Sequence, residues 1–250
     1  MTAFTPDMVG VTVHADEGSH DDIYPGHPLL YVERDTIELV RSVGLEPYLI
    51  PIYRDCSLPP LDHLKGLLFT GGGYLPLNRR NSQLAGLKSS GPGRYKADKR
   101  LVEYGLKRGL PMVGFCRGAQ MINEVLGGRL ASIPDSGIEH HQERQLIPPD
   151  QPVHDIVVRE ESRFYSIMGQ SDLPVNSFHR QHMVELGTSL EAVALSKEDR
   201  LVEVFESTTH PFLFGFQFHP EKLWGSQPVW MKFFEEFASA AHSFKPVHTV

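Results

Sequence analysis

Short apolar runs alternate along the chain with segments in which apolar residues recur at roughly helical spacing. An apolar run bounded by turn residues predicts a buried strand, and such runs lie at Met8–Val13, Tyr48–Pro51, Leu64–Thr70 and Leu110–Phe115. Helical spacing with a glycine close behind it predicts a helix, and such segments are Leu29–Val43, Ala97–Lys107 and Arg117–Leu126. Because nearly continuous apolar strands alternate with helices, the pattern favours an α/β fold. It predicts a three-layer, doubly wound, mostly parallel sheet with helices on both faces.

The second half of the chain changes character. Two apolar segments, "LVEVFES" and "PFLFGFQF", are separated by a short turn and predict an antiparallel hairpin joined to the same sheet. The segment "VWMKFFEEFASAAHSF" predicts a closing amphipathic helix, with Phe233, Phe234 and Phe237 spaced for core packing. Two irregular stretches, Asn78–Tyr95 and Glu139–Gln151, are predicted to be surface loops near a site. With no internal repeat and no linker, residues 1–250 are expected to form a single domain.

Composition narrows the functional classes. The chain has 250 residues, of which 40% are hydrophobic, and this is enough to fill a core. Acidic residues outnumber basic ones, 31 against 24, so a nucleic-acid partner is not expected. No apolar run approaches the roughly 18 to 20 residues of a membrane span, and the first ten residues lack the features of a secretory signal. Two cysteines make no disulfide framework, and a reducing, cytoplasmic location is expected.

One of the two cysteines, Cys116, stands between a predicted strand and a predicted helix, with Gly114 and Gly118 around it. A nucleophile on a sharp strand-to-helix turn needs small neighbours, because a side chain at either glycine would crowd the strained backbone. The free N–H groups and the dipole at the start of the helix would favour a thiolate. The pattern predicts a nucleophilic Cys116, and the alternative is a buried, inert thiol at a tight turn.

A second candidate for chemistry follows the apolar segment "FLFGFQF". Residues two apart in extended backbone point to the same side, so His219 and Glu221 could share one face. The carboxylate would then hold the imidazole while the second ring nitrogen meets the thiol. A histidine at a strand end is more often structural, but its pairing with Cys116 favours catalysis.

Three successive glycines, Gly71 to Gly73, follow the predicted strand Leu64–Thr70. Glycines at such a position let backbone N–H groups approach a ligand closely, as in a phosphate cradle or an oxyanion hole. No G-x-G-x-x-G pattern or Walker lysine is present, which argues against a nucleotide. We therefore predict an oxyanion hole with one N–H from Gly72 or Gly73 and a second from Arg117. An ordinary loop is the alternative.

Other polar clusters are not expected to take part in the chemistry. The His, Asp and Glu residues of "VHADEGSHDDIYPGH" and "EHHQ" are of the types that bind metals. Their spacing fits no metal motif, so solvated loops are expected, and neither a metal nor an organic cofactor is predicted. Cys56 lacks flanking glycines and is interpreted as structural.

Four segments in order along the chain carry a resemblance to a known family: "TGGG", "GFCRGAQMINEVLGG", "VNSFHRQ" and "GFQFHPE". The chain resembles the class I glutamine amidotransferase-like superfamily, and within it the γ-glutamyl-γ-aminobutyrate hydrolase family. The resemblance covers nearly the whole chain and implies a flavodoxin-like sheet flanked by helices. It implies Cys116 as nucleophile, with His219 and Glu221 completing a triad. It also implies contacts around the glutamyl group from Gln120 and from the segment Asn176, Ser177, Phe178 and His179.

Three positions depart from the pattern of that family. Tyr74 follows the glycines where an acidic residue is usual, Arg180 stands where a second His is common, and Phe218 stands where a Trp is common. These departures leave the triad intact and leave the identity of the amine open. His179 on its own could equally be a packed histidine.

The residues and the resemblance together lead us to expect a cysteine-dependent hydrolase. It would cleave the γ-glutamyl amide bond of a small γ-glutamylated amine through a γ-glutamyl thioester, releasing glutamate and the free amine. Two alternatives stay open: a glutaminase subunit that supplies ammonia to a synthetase partner, and a catalytically silent binding domain on the same fold. A homodimer is considered as the assembly.

Overall fold

A computed structural model of the protein describes residues 6–16, 26–72, 92–133 and 140–245. The strands are β1 (Met8–Thr12), β2 (His14–Asp16), β3 (Leu29–Tyr31), β4 (Glu46–Ile50), β5 (Leu64–Phe69), β6 (Met112–Phe115), β7 (Arg129–Ser132), β8 (His154–Val158), β9 (Asp172–Val175), β10 (Gln181–Glu185), β11 (Leu190–Ser196), β12 (Val202–Ser207) and β13 (Leu213–Phe216). The helices are α1 (Arg34–Ser42), α2 (Pro92–Arg108), α3 (Arg117–Val125), α4 (Arg163–Met168), α5 (Pro220–Leu223) and α6 (Met231–Ser243). Two short 3₁₀ helices lie at Gln142–Gln145 and Pro228–Trp230.

Nine of the strands form one sheet, in the order β4-β1-β5-β6-β13-β12-β11-β8-β9. The neighbours from β4 to β13 pair in parallel, and those from β13 to β9 pair antiparallel. This confirms the predicted α/β class, including the antiparallel hairpin of β12 and β13. The antiparallel part is larger than the sequence suggested, because β8, β9 and β11 are mixed in polarity. Such strands give a weaker apolar signal than the continuous runs of the parallel half.

The prediction of one helix over Leu29–Val43 is wrong at its start. Residues 29–31 form β3, which pairs antiparallel with β2, and α1 begins only at Arg34. Leu30 and Tyr31 are about half exposed. These two side chains therefore belong to the surface of this small ladder, and only Leu29 continues the helical spacing, by coincidence.

Helix α2 begins at Pro92, earlier than the predicted start at Ala97. Proline is well tolerated in the first turn of a helix, where its missing N–H would have no partner. Residues 92–95 of the stretch Asn78–Tyr95, predicted to be irregular, are therefore helical, and residues 78–91 lie outside the described residues. The second irregular stretch, Glu139–Gln151, contains one of the 3₁₀ helices, and its first residue also lies outside the described part.

Helices cover both faces of the sheet, each over its own apolar core. Along β5, Leu67 belongs to one core and Leu68 to the other, as the period-2 alternation of a strand requires. Helices α2 and α3 pack over the first core, and α1, α4 and α6 over the second. The predicted core residues of α6 are buried, namely Phe233, Phe234 and Phe237. Each buried aromatic side chain of this kind contributes about 1.5–3 kcal/mol.

Across the part of the chain that the structure describes, no helix has both the length and the apolar character needed to cross a membrane.

Candidate active site

Three adjacent strands bring the predicted site residues to one edge of the sheet. Strands β5, β6 and β13 are neighbours and run parallel, so their carboxyl ends lie side by side. Thr70 follows β5, Cys116 follows β6, and His219 comes shortly after β13. Ligands of open α/β sheets bind at this edge. The three turns therefore form the candidate site.

Cys116 lies on a sharp turn between β6 and α3. Its φ of 46° and ψ of −105° fall outside the regions that residues with side chains favour, and strain of this kind clusters at functional turns. A Cβ at Gly114 would lie 2.6 Å from the backbone nitrogen of Ala119, and a Cβ at Gly118 would overlap the carbonyl of Phe69. The predicted need for small residues on both sides of the cysteine is confirmed.

The Cys116 thiol is buried but lines a cavity of about 590 Å³. Gln217 lies beside the sulfur, with 3.8 Å between its Nε2 and Sγ. The side-chain oxygen of Gln217 accepts a hydrogen bond from Gln120 Nε2 at 3.1 Å, and the same nitrogen donates to the carbonyl of Gln181. Both N–H groups of the Gln120 amide are therefore engaged within the protein.

The structure brings the side chains of His219 and Glu221 together, with 2.6 Å between Nδ1 and Oε1 and both residues buried. The sequence suggested extended backbone here. In the structure, Pro220 instead begins α5 directly after His219. Asn176 fixes the backbone of His219 from two sides. Its Oδ1 accepts the N–H of His219 at 2.8 Å, and its Nδ2 donates to the carbonyl at 2.9 Å.

Electrostatics favour the protonated form of this imidazole. Burial lowers the pKa of His219, but the charge of Glu221 and the hydrogen bond to Cys116 outweigh burial and raise that pKa well above its usual value. The ring thus sits between a carboxylate and a sulfur, both of which favour its charged form. A thiol, an imidazole and a carboxylate in this order can carry out nucleophilic catalysis.

A buried arginine holds the glycine turn after β5. The guanidinium of Arg94 donates to the carbonyl oxygens of Thr70, Gly71 and Gly72 at 3.1, 2.8 and 3.0 Å. The N–H and C=O of a trans peptide point in opposite directions, so these bonds aim the N–H groups of Gly71 and Gly72 away from Arg94. Gly72 has a φ of 80° and lines the cavity. Gly73 lies outside the described residues.

The glycine turn also contacts the imidazole. A Cβ at Gly71 would lie 2.5 Å from Cε1 of His219, so any larger residue would displace the ring. On the other side of Arg94, Asp98 pairs with both Arg94 and Arg117. This buried group of charges connects the glycine turn with the residue that follows the nucleophile.

The residues predicted to bind substrate divide into two groups. Gln120, Phe178 and His179 line the cavity beside the thiol. Asn176 and Ser177 do not line it and are completely buried. Asn176 is bound to the backbone around His219, and the Ser177 hydroxyl donates to a backbone carbonyl at 2.9 Å. Their polar groups stabilise the wall of the site, and a contact of either residue with the substrate stays a prediction.

Gln217 and Arg94 were not predicted from the sequence as residues of the site. Gln217 precedes His219 by two positions, and period-2 spacing at the end of a strand could have placed both on one side. Arg94 comes 24 residues after Thr70, and it belongs to a stretch predicted to be irregular. No local pattern could have paired those two residues.

A second polar cluster lies beside the cavity. His140, His154 and Glu203 are buried and each offers a possible metal ligand atom within 4.8 Å of the other two. The expectation of a solvated "EHHQ" segment is thus wrong for His140 and His141, both buried. The cluster can also be explained as a group of ion pairs without a metal, because Glu203 lies 3.3 Å from His154 and 3.7 Å from His179. Both ring nitrogens of His140 already have partners.

The other stretch expected to be a solvated loop gives a similar result. His14 is buried, and its Nδ1 lies 3.1 Å from a guanidinium nitrogen of Arg94. Residues 17–25 of that stretch lie outside the described part.

The chain is similar in sequence to known proteins. The family model described as Peptidase C26 matches residues 7–221, a span that contains all the candidate site residues. The chain belongs to the Peptidase C26 family. The glutamine amidotransferase-like protein YvdE of Lactococcus lactis is 30% identical over 84% of this chain and 88% of its own length. The γ-glutamyl-γ-aminobutyrate hydrolase PuuD of Escherichia coli is 31% identical over 60% of this chain and 61% of its own.

Solved structures agree on the fold. A glutamine amidotransferase from Thermotoga maritima superimposes with a TM-score of 0.59 at 16% identity, covering 96% of this chain and 87% of that one. Membership of the Peptidase C26 family makes the chain a hydrolase of the glutamine amidotransferase-like class, as the resemblance implied.

The cavity of this Peptidase C26 protein carries both signs of charge. Lys222 and Glu33 form an ion pair with 2.5 Å between Nζ and Oε2. Arg180 and His141 lie on the wall formed by the 3₁₀ helix and the segment before β10. An apolar stretch borders the same wall, at residues 146–149.

Proposed function

We propose that this protein hydrolyses the γ-glutamyl amide bond of a small γ-glutamylated amine. The observation that carries the proposal is the arrangement of three side chains: Glu221 lies 2.6 Å from His219, and the imidazole lines the same cavity as the Cys116 thiol, which helps to raise the pKa of the ring. A nucleophile, a base and a group that orients the base are what acyl transfer through a covalent intermediate requires. The similarity to a γ-glutamyl-γ-aminobutyrate hydrolase supports a γ-glutamyl group as the acyl part.

In the proposed first step, the Cys116 sulfur attacks the γ-carbonyl carbon. The carbonyl oxygen becomes an oxyanion, held by the N–H of Arg117 and by an N–H of the glycine turn, from Gly72 or Gly73. Each such donor is typically worth roughly 3 to 4 kcal/mol. His219 gives its proton to the amine nitrogen, the C–N bond breaks, and a γ-glutamyl thioester remains on the sulfur.

In the second step, His219 takes a proton from a water molecule, whose oxygen attacks the thioester carbonyl. The C–S bond breaks, glutamate leaves, and the Cys116 thiolate is restored beside the protonated His219. Glu221 keeps the ring in place and stabilises its charged form throughout. Gln120, Phe178 and His179 are proposed to contact the glutamyl group. The chemistry needs only protein groups and water, and the two free cysteines suit a reducing, cytoplasmic setting.

A glutaminase that passes ammonia to a partner is the second candidate, favoured by the similarity to the glutamine amidotransferase-like protein YvdE. The same residues would act, and ammonia would be the leaving group. A cavity of about 590 Å³ falls in the range of pockets that hold whole small molecules. This supports a leaving amine larger than ammonia.

The test measures glutamate release from a panel of γ-glutamyl amides that includes free glutamine. We expect the wild type to hydrolyse at least one substituted amide faster than glutamine, and Cys116→Ala to hydrolyse none. Cys56→Ala is the matched control, because Cys56 does not line the cavity and should leave the rate unchanged. Faster turnover of glutamine would favour the glutaminase. Binding of the amides without any turnover would favour the third alternative, a catalytically silent binding domain.

A further inference from the structure

Among the residues that the structure describes, Arg180 is a cation of the cavity without a carboxylate partner. Within the described residues, no carboxylate lies at ion-pair distance from its guanidinium, and its Nε is buried without a hydrogen-bond partner. Lys222, on the same cavity, differs in this respect. Its Nζ lies 2.5 Å from Glu33 and 3.5 Å from Asp35. The positive charge of Lys222 is therefore neutralised, and no described carboxylate neutralises that of Arg180.

The backbone around Arg180 is fixed on both sides. Its carbonyl accepts the N–H of Ile133 at 3.0 Å, and the preceding N–H, of His179, donates to the carbonyl of His140 at 2.9 Å. The following residue, Gln181, begins β10 and pairs with β7. The side chain thus leaves a rigid support at the wall of the cavity, and rigid supports give precise binding sites.

The charge of the guanidinium acts on the neighbouring His141. Burial and the charge of Arg180 lower the pKa of His141, which lines the same wall. Glu143, an acid of that wall, has 78% of its side chain exposed and lies 4.0 Å from His141. A half-buried cation loses hydration without gaining a partner, so an incoming anion would stabilise it. The planar fork of a guanidinium matches a carboxylate with two parallel hydrogen bonds.

We propose that Arg180 binds a carboxylate of the substrate. The proposal rests on the proposed function, which supplies two sources of that group. One is the α-carboxylate of the γ-glutamyl moiety, and the other is a carboxylate on the leaving amine when that amine is an amino acid.

The experiment uses three substrates that differ in their carboxylates. They are γ-glutamyl-4-aminobutyrate, γ-glutamylbutylamine, and the α-carboxamide of γ-glutamylbutylamine. Arg180→Gln is expected to lower kcat/KM by roughly 10- to 100-fold wherever the recognised carboxylate is present. Recognition of the α-carboxylate predicts this loss for the first two substrates and little loss for the carboxamide. Recognition of the amine's carboxylate predicts the loss for the first substrate alone.

Two further variants separate binding from general effects. Arg180→Lys keeps the charge without the fork and should lose less than Arg180→Gln, with the same substrate pattern. It also serves as the test if Arg180→Gln does not fold. Arg144→Gln removes an exposed charge near the cavity and should lower all three values by less than about two-fold. An equal loss on all three substrates with Arg180→Gln, or no loss on any, overturns the proposal.

Binding keeps this test independent of turnover. If the wild type hydrolyses none of the substrates, the proposed function fails. Calorimetry with Cys116→Ala then measures binding of γ-glutamyl-4-aminobutyrate with and without Arg180→Gln. A 10- to 100-fold weaker affinity supports the carboxylate site. Equal affinities, or no binding to Cys116→Ala, overturn it.

Discussion

Removal of the Arg94 guanidinium should separate the reactivity of the thiol from turnover. The guanidinium fixes three successive carbonyl oxygens, those of Thr70, Gly71 and Gly72. Those bonds determine which way the N–H groups of the turn point. A methionine at position 94 would fill similar space without a donor, so the peptides of the turn would be free to rotate. The Cys116 sulfur and its imidazole would keep their own contacts.

The magnitude follows from the hydrogen bonds that are lost. A buried carbonyl left without its partner costs about 1–3 kcal/mol, so three of them predict a loss of at least about 3 kcal/mol in the free energy of unfolding. No charge is left unpaired, because Asp98 keeps its ion pair with Arg117. The larger penalty for an orphaned buried charge therefore does not apply. Loss of one aligned oxyanion donor lowers kcat by about 10²- to 10³-fold.

Two assays on the same preparations test this reasoning. Inactivation by iodoacetamide needs the thiol but forms no oxyanion, so its rate should stay within a few-fold of the wild type in Arg94→Met. The kcat for hydrolysis of a γ-glutamyl amide should fall by the full factor of about 10² to 10³. Arg94→Lys keeps part of the donor set, so its rate of hydrolysis should lie between those of the wild type and Arg94→Met. Urea denaturation reports the loss of stability.

Arg108 gives the matched control on the same helix. It pairs at 2.9 Å with the exposed Asp62, and a surface pair of this kind contributes about 0–1 kcal/mol. Arg108→Met should therefore change neither assay measurably. If turnover and alkylation fell together in Arg94→Met, or if neither fell, the link between Arg94 and the oxyanion site would be refuted.

The remaining predictions concern the imidazole and the cysteine turn. Protonated His219 contributes stability that is full below about pH 6.5 and is lost as pH rises through its raised pKa. Glu221→Gln removes the largest cause of that rise, so its stability deficit in urea should be largest below about pH 6.5 and shrink as pH rises through the raised pKa of the wild type. A deficit independent of pH would contradict this. Gly118→Ala would push a Cβ into the Phe69 carbonyl and should cost about 1–3 kcal/mol, measured by thermal unfolding. Gly225→Ala meets open space, and equal melting temperatures for the two variants would count against the reasoning.

Local patterns in the sequence located the parallel strands and the cysteine turn. The apolar runs that became β1, β4, β5 and β6 were found within one or two residues of their bounds. Gly114 is needed for a reason close in sequence, because the helix after the turn packs directly on the strand before it, whereas Gly118 is needed because it packs on the backbone of Phe69 in β5. Signals of this range are readable from a single chain. Residues 29–31 were misread for the same reason, since Leu29 happened to fit the helical period of the residues that follow.

Contacts between distant segments decided the parts that could not be predicted. Asn176 and Ser177 have side chains of the kind that bind ligands, yet the fold uses them to hold backbone around the site. Arg94 looked like one cation of a polar stretch and proves to be almost completely buried. Residue type indicates which bonds a side chain can make. Only the packed structure shows whether a substrate or the protein itself is the partner.

The register between β6 and β13 links these observations to the chemistry. Phe115 pairs with Phe216 in the parallel ladder, so the residues that follow, Cys116 and Gln217, come level with each other at the ends of the two strands. Gln217 reaches the sulfur from this position, and His219 stands two residues further along. A slip of one residue would turn every side chain of β13 to the opposite face. It would remove Gln217 from the sulfur and point the imidazole away from it. The pairing of these two strands therefore determines whether the thiol and its base can meet, and the flanking glycines and Asn176 then fix how they meet.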